Sequence, residues 1–384
     1  MTALRKLKLV IFIILISCYS AMTKNKTTIY SPFSFSIDPM ERLLLVNFEK
    51  DPDKIYIGFE PQVFNDTING KGMLVIAWRT DGRVDVYHQP ALSLDPDKYD
   101  IAGKGLANMV ERPMNDSFFE VLERGVQCFV QFKDLENRMI TVGINENHQA
   151  RRKPFGLLAP MGHAAENPSA MPLVYLHDFY FVRKNHTEIS ISIDGRKHHP
   201  DRLPIPMDRR KMYFARYSPD PLIVTFNPSF NGEMEKLEMI DDKTAVSGQN
   251  YFDLEKSGDN YHIRKMYQHH SQHSIQISFD PPFPNIAHWD EEASSAGKFR
   301  IEGHISTGSI SGNYEILRMD DGLKIQMHPD KGWRPKANKL SLRLLYTVAG
   351  IFKNWPKSYL WTADIKMNEN EHFHMQSSWE RIDH

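Results

Sequence analysis

Histidine is the most unusual residue in this chain, with 17 copies among 384 residues. A neutral imidazole offers a lone pair to a metal ion, so a group of histidines is the first feature to test for chemistry. In the densest group of histidines, the residues lack the two-residue spacing that puts ligands on one face of a strand. Residues 269–273, which hold most of this group, have the polar composition of a hairpin tip. The sequence therefore predicts an exposed loop rather than a metal site. The group consists of His262, His269, His270 and His273.

A second group, His372 and His374, does have the i, i+2 spacing of neighbours on one strand face. A third and a fourth ligand would have to come from elsewhere in the chain, and the sequence indicates none. We therefore predict no metal and no other cofactor. If a metal is bound, His372 and His374 are its candidate ligands.

One acid stands out as a candidate for proton transfer. Burial raises the pKa of a carboxyl group, which lets it donate a proton near neutral pH. Asp178, in the segment LHDFYF, is predicted to share a strand face with Val174, Leu176, Tyr180 and Val182. We name Asp178 as the candidate catalytic residue. A buried acid neutralised by an arginine, or an acid at a strand edge facing water, would have the same pattern.

The N-terminal segment has the parts of a secretory signal. Residues 1–8 (MTALRKLK) are basic, and the apolar run of residues 9–16 is too short to span a bilayer. Residues 15–18 (LISC) match the cleavage pattern of bacterial lipoproteins, in which the cysteine is acylated. We predict a lipoprotein-type signal peptide over residues 1–18, lipidation at Cys18 and a tether over residues 19–35. The expected product is extracytoplasmic and anchored to a membrane, whereas ordinary cleavage before Ala21 would release a secreted soluble protein.

Charge and cysteine content limit the remaining choices. The formal net charge of −1 argues against a nucleic-acid partner, which requires a basic excess. Cys128 is the second of two cysteines, and it has no partner if Cys18 is lipidated or removed. It lies in the apolar run VQCFVQF, where a free cysteine is expected to be a small buried residue. The fold must therefore be held together by its core.

Alternation of apolar and polar residues with a period of two dominates the chain and predicts strands. Asp-Gly pairs at residues 81–82 and 321–322 predict hairpin tips. The alternation over residues 174–193, around a turn at 184–186, predicts a third hairpin, and residues 340–348 (LSLRLLYTV) are compatible with a strand or a helix. Because parallel neighbours need long crossovers, we predict an all-β fold of two antiparallel lipocalin-like barrels or sandwiches after the signal peptide.

About twenty predicted strands exceed one barrel, so the chain is divided into two β domains. The first is predicted over residues 36–195 and the second over residues 211–384. The linker is placed at residues 196–210 (RKHHPDRLPIPMDRR), which are charged and rich in proline. Residues 145–172 are an alternative position for the boundary.

Three stretches of the second half carry a family resemblance. They are residues 279–284 (FDPPFP), residues 299–304 (FRIEGH), and the hairpin that ends at residues 328–329 together with residues 332–335 (GWRP). These stretches resemble the tandem-lipocalin proteins grouped around bacterial carotenoid hydratases and the AttH family. The resemblance implies two lipocalin-like barrels, with either hydration of isoprenoid double bonds or no assigned activity. It places the family's catalytic acid on no residue of this chain.

A lipid anchor, a near-neutral charge and an aromatic-rich β interior favour a protein that binds a hydrophobic or lipid-like small molecule in a barrel cavity. The aromatic residues could instead fill two β cores. We predict a binding protein in preference to an enzyme. The first alternative is a hydratase or isomerase of an isoprenoid or lipid-like substrate, with Asp178 as proton donor. The second is a surface carbohydrate-binding or adhesion sandwich.

Overall fold

The computed structural model describes residues 28–382 except 101, 149, 152, 160–167, 208, 259, 271–272, 289–293, 338, 349–350 and 369–371. Strands account for 61% of the structure and helices for 6%, and the sheets are antiparallel and curled, which confirms the predicted all-β class. The predicted signal peptide and Cys18 lie outside the described residues. Within the described part of the chain, no helix has the length and hydropathy needed to cross a membrane.

The described residues form 26 strands, three α-helices and two short 3-10 helices. The first nine strands are β1 (Phe35–Pro39), β2 (Arg42–Asn47), β3 (Tyr56–Asp66), β4 (Gly70–Arg79), β5 (Val84–His88), β6 (Leu106–Glu111), β7 (Phe118–Leu122), β8 (Gly125–Lys133) and β9 (Met139–Glu146). The next six are β10 (Phe155–Ala159), β11 (Met171–Arg183), β12 (Thr187–Ile193), β13 (Arg196–His198), β14 (Met212–Ser218) and β15 (Leu222–Phe226).

The remaining strands follow β15 in the chain. They are β16 (Phe230–Glu233), β17 (Glu238–Met239), β18 (Thr244–Ser247), β19 (Asn250–Ser257), β20 (Asn260–His270), β21 (His273–Phe283), β22 (Ser295–Glu302), β23 (Ser309–Met319), β24 (Gly322–Arg334), β25 (Tyr359–Met367) and β26 (Phe373–Arg381). The α-helices are α1 (Asp97–Asp100), α2 (Leu340–Val348) and α3 (Ile351–Asn354), and the 3-10 helices are Ile286–His288 and Ile305–Thr307.

These strands form three sheets. A ten-stranded sheet has the order β1-β15-β11-β14-β2-β3-β4-β5-β6, with β10 also paired to β11. A five-stranded sheet has the order β13-β12-β9-β8-β7. The eleven-stranded sheet is a meander from β17 to β26, with β16 paired to β26 at its end. Sequential antiparallel pairing of this kind needs only short connections, because each strand returns beside the one before it.

Local turn signals predicted two hairpins correctly. Strands β4 and β5 pair around Asp81-Gly82, and β23 and β24 pair around Asp321-Gly322, with Met319 opposite Gly322. The segment 340–348, left open between strand and helix, forms α2.

Two expectations about strand pairing are wrong. Strands β11 and β12 do not form a hairpin, because β11 pairs with β10, β14 and β15 whereas β12 pairs with β9 and β13. Strands β5 and β6 are parallel. Their connection runs through residues 89–105 and includes α1, so it is long enough for a parallel crossover.

The chain enters the eleven-stranded sheet at a later position than the predicted linker. Residues 196–198 within that linker form β13 of the five-stranded sheet, and β14 and β15 after it belong to the ten-stranded sheet. The eleven-stranded sheet begins with β16. The division into two domains stays a prediction, while the passage of the chain into the eleven-stranded sheet falls between residues 226 and 230.

Apolar side chains from facing sheets form the cores. One cluster joins the ten-stranded and five-stranded sheets and includes Phe59, Val142 and the buried free thiol of Cys128. The largest cluster joins β10, β11 and β15 to the inner face of the eleven-stranded sheet. In it, Phe33 stacks on Phe279 with ring centroids 4.9 Å apart. Aromatic rings in such contacts fill the space between strands.

Candidate functional site

A pocket of about 360 Å³ opens beside β10, β11 and β14. It combines buried apolar side chains with a high density of positive charge, and none of the described residues that line it is acidic. We call it the basic pocket, and it is lined by Arg151, Lys153, Phe155, Tyr180, Phe181, Arg183, Arg209, Arg210 and Met212.

The floor of the basic pocket is apolar. Phe155, Phe181 and Met212 are only 3–5% exposed, and the rings of Phe155 and Phe181 meet edge to face at 5.8 Å. Strand β11 lies between β10 and β14 in the sheet, so backbone pairing holds all three side chains in place. An apolar floor fixed by a sheet is a typical preformed binding surface.

Arg183 is part of the structure beneath the pocket rather than a free cation. Its side chain is 4% exposed, and its Nε donates to Oε1 of the fully buried Glu146 at 2.6 Å. Its Nη1 and Nη2 donate to the carbonyl oxygens of Ala150 at 2.8 Å and Arg124 at 2.5 Å. Tyr217 donates its hydroxyl to the other carboxylate oxygen of Glu146 at 3.1 Å. This network ties β9 and β11 to the loop that leads to β10.

Two positive charges of the rim have no acidic partner among the described residues. Lys153 and Arg209 are exposed, and within the described part of the chain neither side chain makes a hydrogen bond or an ion pair. Arg209 has a φ of 62° and lies inside a turn closed by two backbone hydrogen bonds between Met207 and Arg210, of 3.0 and 2.9 Å. The turn thereby presents two consecutive arginines to the pocket.

Arg210 has a neutral neighbour. Its Nη1 lies 3.2 Å from Nε2 of His148. Burial and the charges of Arg183 and Arg210 lower the pKa of His148, so this imidazole is uncharged at neutral pH. Arg151 differs from Arg210, because it lies 3.4 Å from Glu123 in an exposed pair. The described residues of the rim therefore have a net positive charge even after their ion pairs are subtracted.

A larger depression of about 780 Å³ lies on the eleven-stranded sheet. It is less suited to a defined ligand because its charges have both signs and Lys265 is paired with Asp253 at 2.9 Å. We call it the mixed-charge depression, and it is lined by Asp253, Glu255, Arg264, Lys265, Ser278, Phe279, Asp280 and Pro282.

A cluster of imidazoles and one carboxylate forms where β11 meets the eleven-stranded sheet. Oδ2 of Asp220 lies 3.4 Å from Nε2 of His177 and 3.3 Å from Nε2 of His273. The rings of His177 and His273 have centroids only 3.7 Å apart, and His304 lies 5.6 and 5.7 Å from them. We call His177, Asp220 and His273 the histidine cluster. A hydrogen bond from His177 and the charges of His177 and His273 hold the pKa of the Asp220 carboxyl below its ordinary value.

The structure places the predicted catalytic acid next to this cluster and not among the residues that line the basic pocket. Asp178 follows His177 on β11 and is half-buried, and it makes no side-chain hydrogen bond or ion pair with another described residue. Burial, His177 and His273 lower the pKa of His304, and the charge of Asp178 acts in the opposite direction. A role of Asp178 as proton donor stays a prediction.

Among the described residues, the predicted metal pair belongs to no group of three ligands that could hold a metal ion. His372 Nδ1 lies 3.4 Å from Oε2 of Glu233 in an exposed pair, and His374 is exposed on β26. Among the described residues, the group with the geometry to hold a metal ion is the histidine cluster. One member, His273, comes from the hairpin tip that the sequence predicted to be an exposed loop.

Sequence reasoning missed the rim of the basic pocket, although a signal was present. The tripeptide Arg-Arg-Lys occurs at residues 151–153 and again at residues 209–211. Both copies lie in segments that were predicted only as a loop and a linker. Their convergence on one pocket depends on the pairing of β10 and β14 with opposite edges of β11.

No protein-family model, curated protein sequence or solved structure matches this chain. The resemblance of the second half to tandem-lipocalin proteins stays a prediction.

Proposed function

We propose that the protein binds a small amphipathic anion, with an apolar body and a carboxylate or phosphate head group, in the basic pocket. The observation that carries the proposal is the position of Lys153, Arg209 and Arg210 around a floor of Phe155 and Phe181. The volume of the basic pocket, about 360 Å³, is in the lower part of the range of small-molecule sites.

The two parts of such a ligand would be bound by different forces. Each methylene removed from water against the floor contributes about 0.8 kcal/mol. Guanidinium groups bind carboxylates and phosphates through paired hydrogen bonds. Because Arg209 is exposed and screened by solvent, we expect the head group to contribute about 1–2 kcal/mol, near a tenfold effect on affinity.

The proposal includes an extracytoplasmic location. Lipidation at Cys18 would hold the pocket close to a membrane surface, where amphipathic anions are concentrated. The predicted hydrophobic ligand is thereby refined to one with a charged head group, because the residues that line the pocket favour an anion over a neutral hydrocarbon.

Calorimetric titration with decanoate and decan-1-ol tests the proposal, since these ligands share a chain and differ in charge. We expect one decanoate per protein and at least about tenfold weaker binding of the alcohol. Replacing Arg209 and Arg210 together by alanine should weaken decanoate binding about tenfold and leave the alcohol unaffected. The control is Arg264→Ala in the mixed-charge depression, which should change neither affinity. Equal affinities for the acid and the alcohol, or an unchanged double variant, would contradict the proposal.

A further inference from the structure

We propose that the histidine cluster binds a divalent transition-metal ion, with Zn²⁺ as the best fit, through His177, Asp220 and His273. This site is separate from the basic pocket. Two imidazoles and one carboxylate form a ligand set typical of zinc sites that keep a fourth position open for water.

Two of the three spacings between the ligand atoms match those around a tetrahedral ion. With metal–ligand bonds of about 2.0–2.1 Å, neighbouring ligands of a tetrahedral ion lie about 3.3–3.4 Å apart. The observed distances from Asp220 Oδ2 are 3.4 Å to His177 Nε2 and 3.3 Å to His273 Nε2. The ligand atoms of all three residues lie within 4.8 Å of one another.

Hydrogen bonding alone explains this arrangement poorly. A charge-assisted hydrogen bond between imidazolium and carboxylate is about 2.7–2.9 Å long, shorter than both observed distances. His177 has a side chain only 4% exposed, and its Nδ1 is buried with no hydrogen-bond partner in the described part of the chain. An ion bound at Nε2 would leave the proton of the neutral ring on this Nδ1. The long distances from Nε2, and not the unpartnered Nδ1, are therefore the observation that favours an ion at this position.

His304 is placed to act on the fourth position. Its Nδ1 accepts from the backbone amide of Ser306 at 3.2 Å and lies 2.7 Å from the hydroxyl of that residue. An accepting Nδ1 leaves the proton of the neutral ring on Nε2, so His304 is a donor rather than a ligand. We assign it to hydrogen bonding with the water that completes the metal coordination.

The ligands come from different sheets. His177 belongs to β11 and Asp220 to the connection between β14 and β15, whereas His273 begins β21 of the eleven-stranded sheet. A bound ion would therefore link the two sheets and stabilise their packing. Asp220, with a side chain 45% exposed, leaves the site open to ions from solvent.

Metal binding is tested on protein expressed from the full-length sequence without a polyhistidine tag, stripped with a chelator and titrated with Zn²⁺. We expect one Zn²⁺ per chain and a higher thermal unfolding midpoint in its presence. His273→Ala and Asp220→Ala should each weaken binding by more than about 100-fold, because loss of outer-shell partners alone weakens it about 10–100-fold. Both side chains are partly exposed, so these variants are expected to fold, and circular dichroism checks this.

His372→Ala is the matched control. His372 lies 3.4 Å from a carboxylate, as His177 does, but among the described residues it belongs to no group of three possible metal ligands. Zn²⁺ affinity should stay within about twofold of wild type in this variant. Co²⁺ gives a second readout, because a four-coordinate site produces strong visible absorption that should vanish in His273→Ala. Absence of stoichiometric Zn²⁺ binding by the wild type, or unchanged affinity in His273→Ala, would overturn the proposal.

Discussion

Arg183→Met removes the cation beneath the basic pocket while keeping a side chain of similar length. Arg183 donates to Glu146 and to two backbone carbonyl oxygens, and all these bonds are lost in the variant. Glu146 is fully buried, and it also accepts hydrogen bonds from the hydroxyl of Tyr217 and the amide of residue 183. Removing the guanidinium that is paired with a buried carboxylate is strongly destabilising.

The expected magnitude follows from that loss. Breaking a buried ion pair by removing one partner lowers the free energy of unfolding by about 3–5 kcal/mol. Adding Glu146→Gln removes the carboxylate charge that was paired with Arg183, so the double variant should be more stable than the sum of the single effects by about 2 kcal/mol. Arg151→Met is the control, because the Arg151–Glu123 pair is exposed and its loss should change stability by no more than about 1 kcal/mol.

Urea unfolding followed by circular dichroism measures these changes. The reasoning is refuted if Arg183→Met lowers stability by less than about 1 kcal/mol. It is also refuted if the effects of Arg183→Met and Glu146→Gln are additive within about 0.5 kcal/mol, since the two groups would then not act as a pair.

Three further predictions concern the core and the charge network. Burial raises the pKa of the Cys128 thiol, so an aromatic disulfide reagent near pH 8 should label it only after unfolding; rapid labelling of the folded protein would contradict this. Burial acts against ionisation of Asp53, but hydrogen bonds and the charge of Arg138 hold its pKa below the ordinary value. The ionised Asp53 therefore contributes its full stabilisation above about pH 4, and this is lost as the pH falls through the lowered pKa. The urea midpoint of Asp53→Asn should consequently fall less on acidification than that of the wild type. Gly312→Ala would place a Cβ 2.1 Å from the carbonyl oxygen of His328, so we expect a lower thermal midpoint, and an unchanged midpoint would show that the strand can shift there.

Local turn chemistry was readable in the sequence, whereas the neighbours of a strand were not. The Asp-Gly pairs at residues 81–82 and 321–322 fix both a turn and the register of the strands beside it. The alternation over residues 174–193 identifies which side chains share a face but not which strand pairs with which. The chain at residues 184–186 passes from the ten-stranded to the five-stranded sheet, a change that no local pattern records.

The same limit applies to the sites. The position of His273 at a hairpin tip was predicted, but its partners His177 and Asp220 are brought to it only by the packing of β11 against the eleven-stranded sheet. His372 and His374 have favourable spacing in the sequence, but in the described part of the chain they do not form a group with metal-binding geometry. Spacing within one strand therefore carried less information than the contact between two sheets.

The most direct test of the proposed binding function is a crystal structure of the protein with decanoate. We expect the carboxylate within hydrogen-bond distance of Arg209 or Arg210 and the alkyl chain against Phe155 and Phe181. Decanoate bound in the mixed-charge depression or inside the eleven-stranded sheet, with the basic pocket free of ligand, would contradict the proposed function.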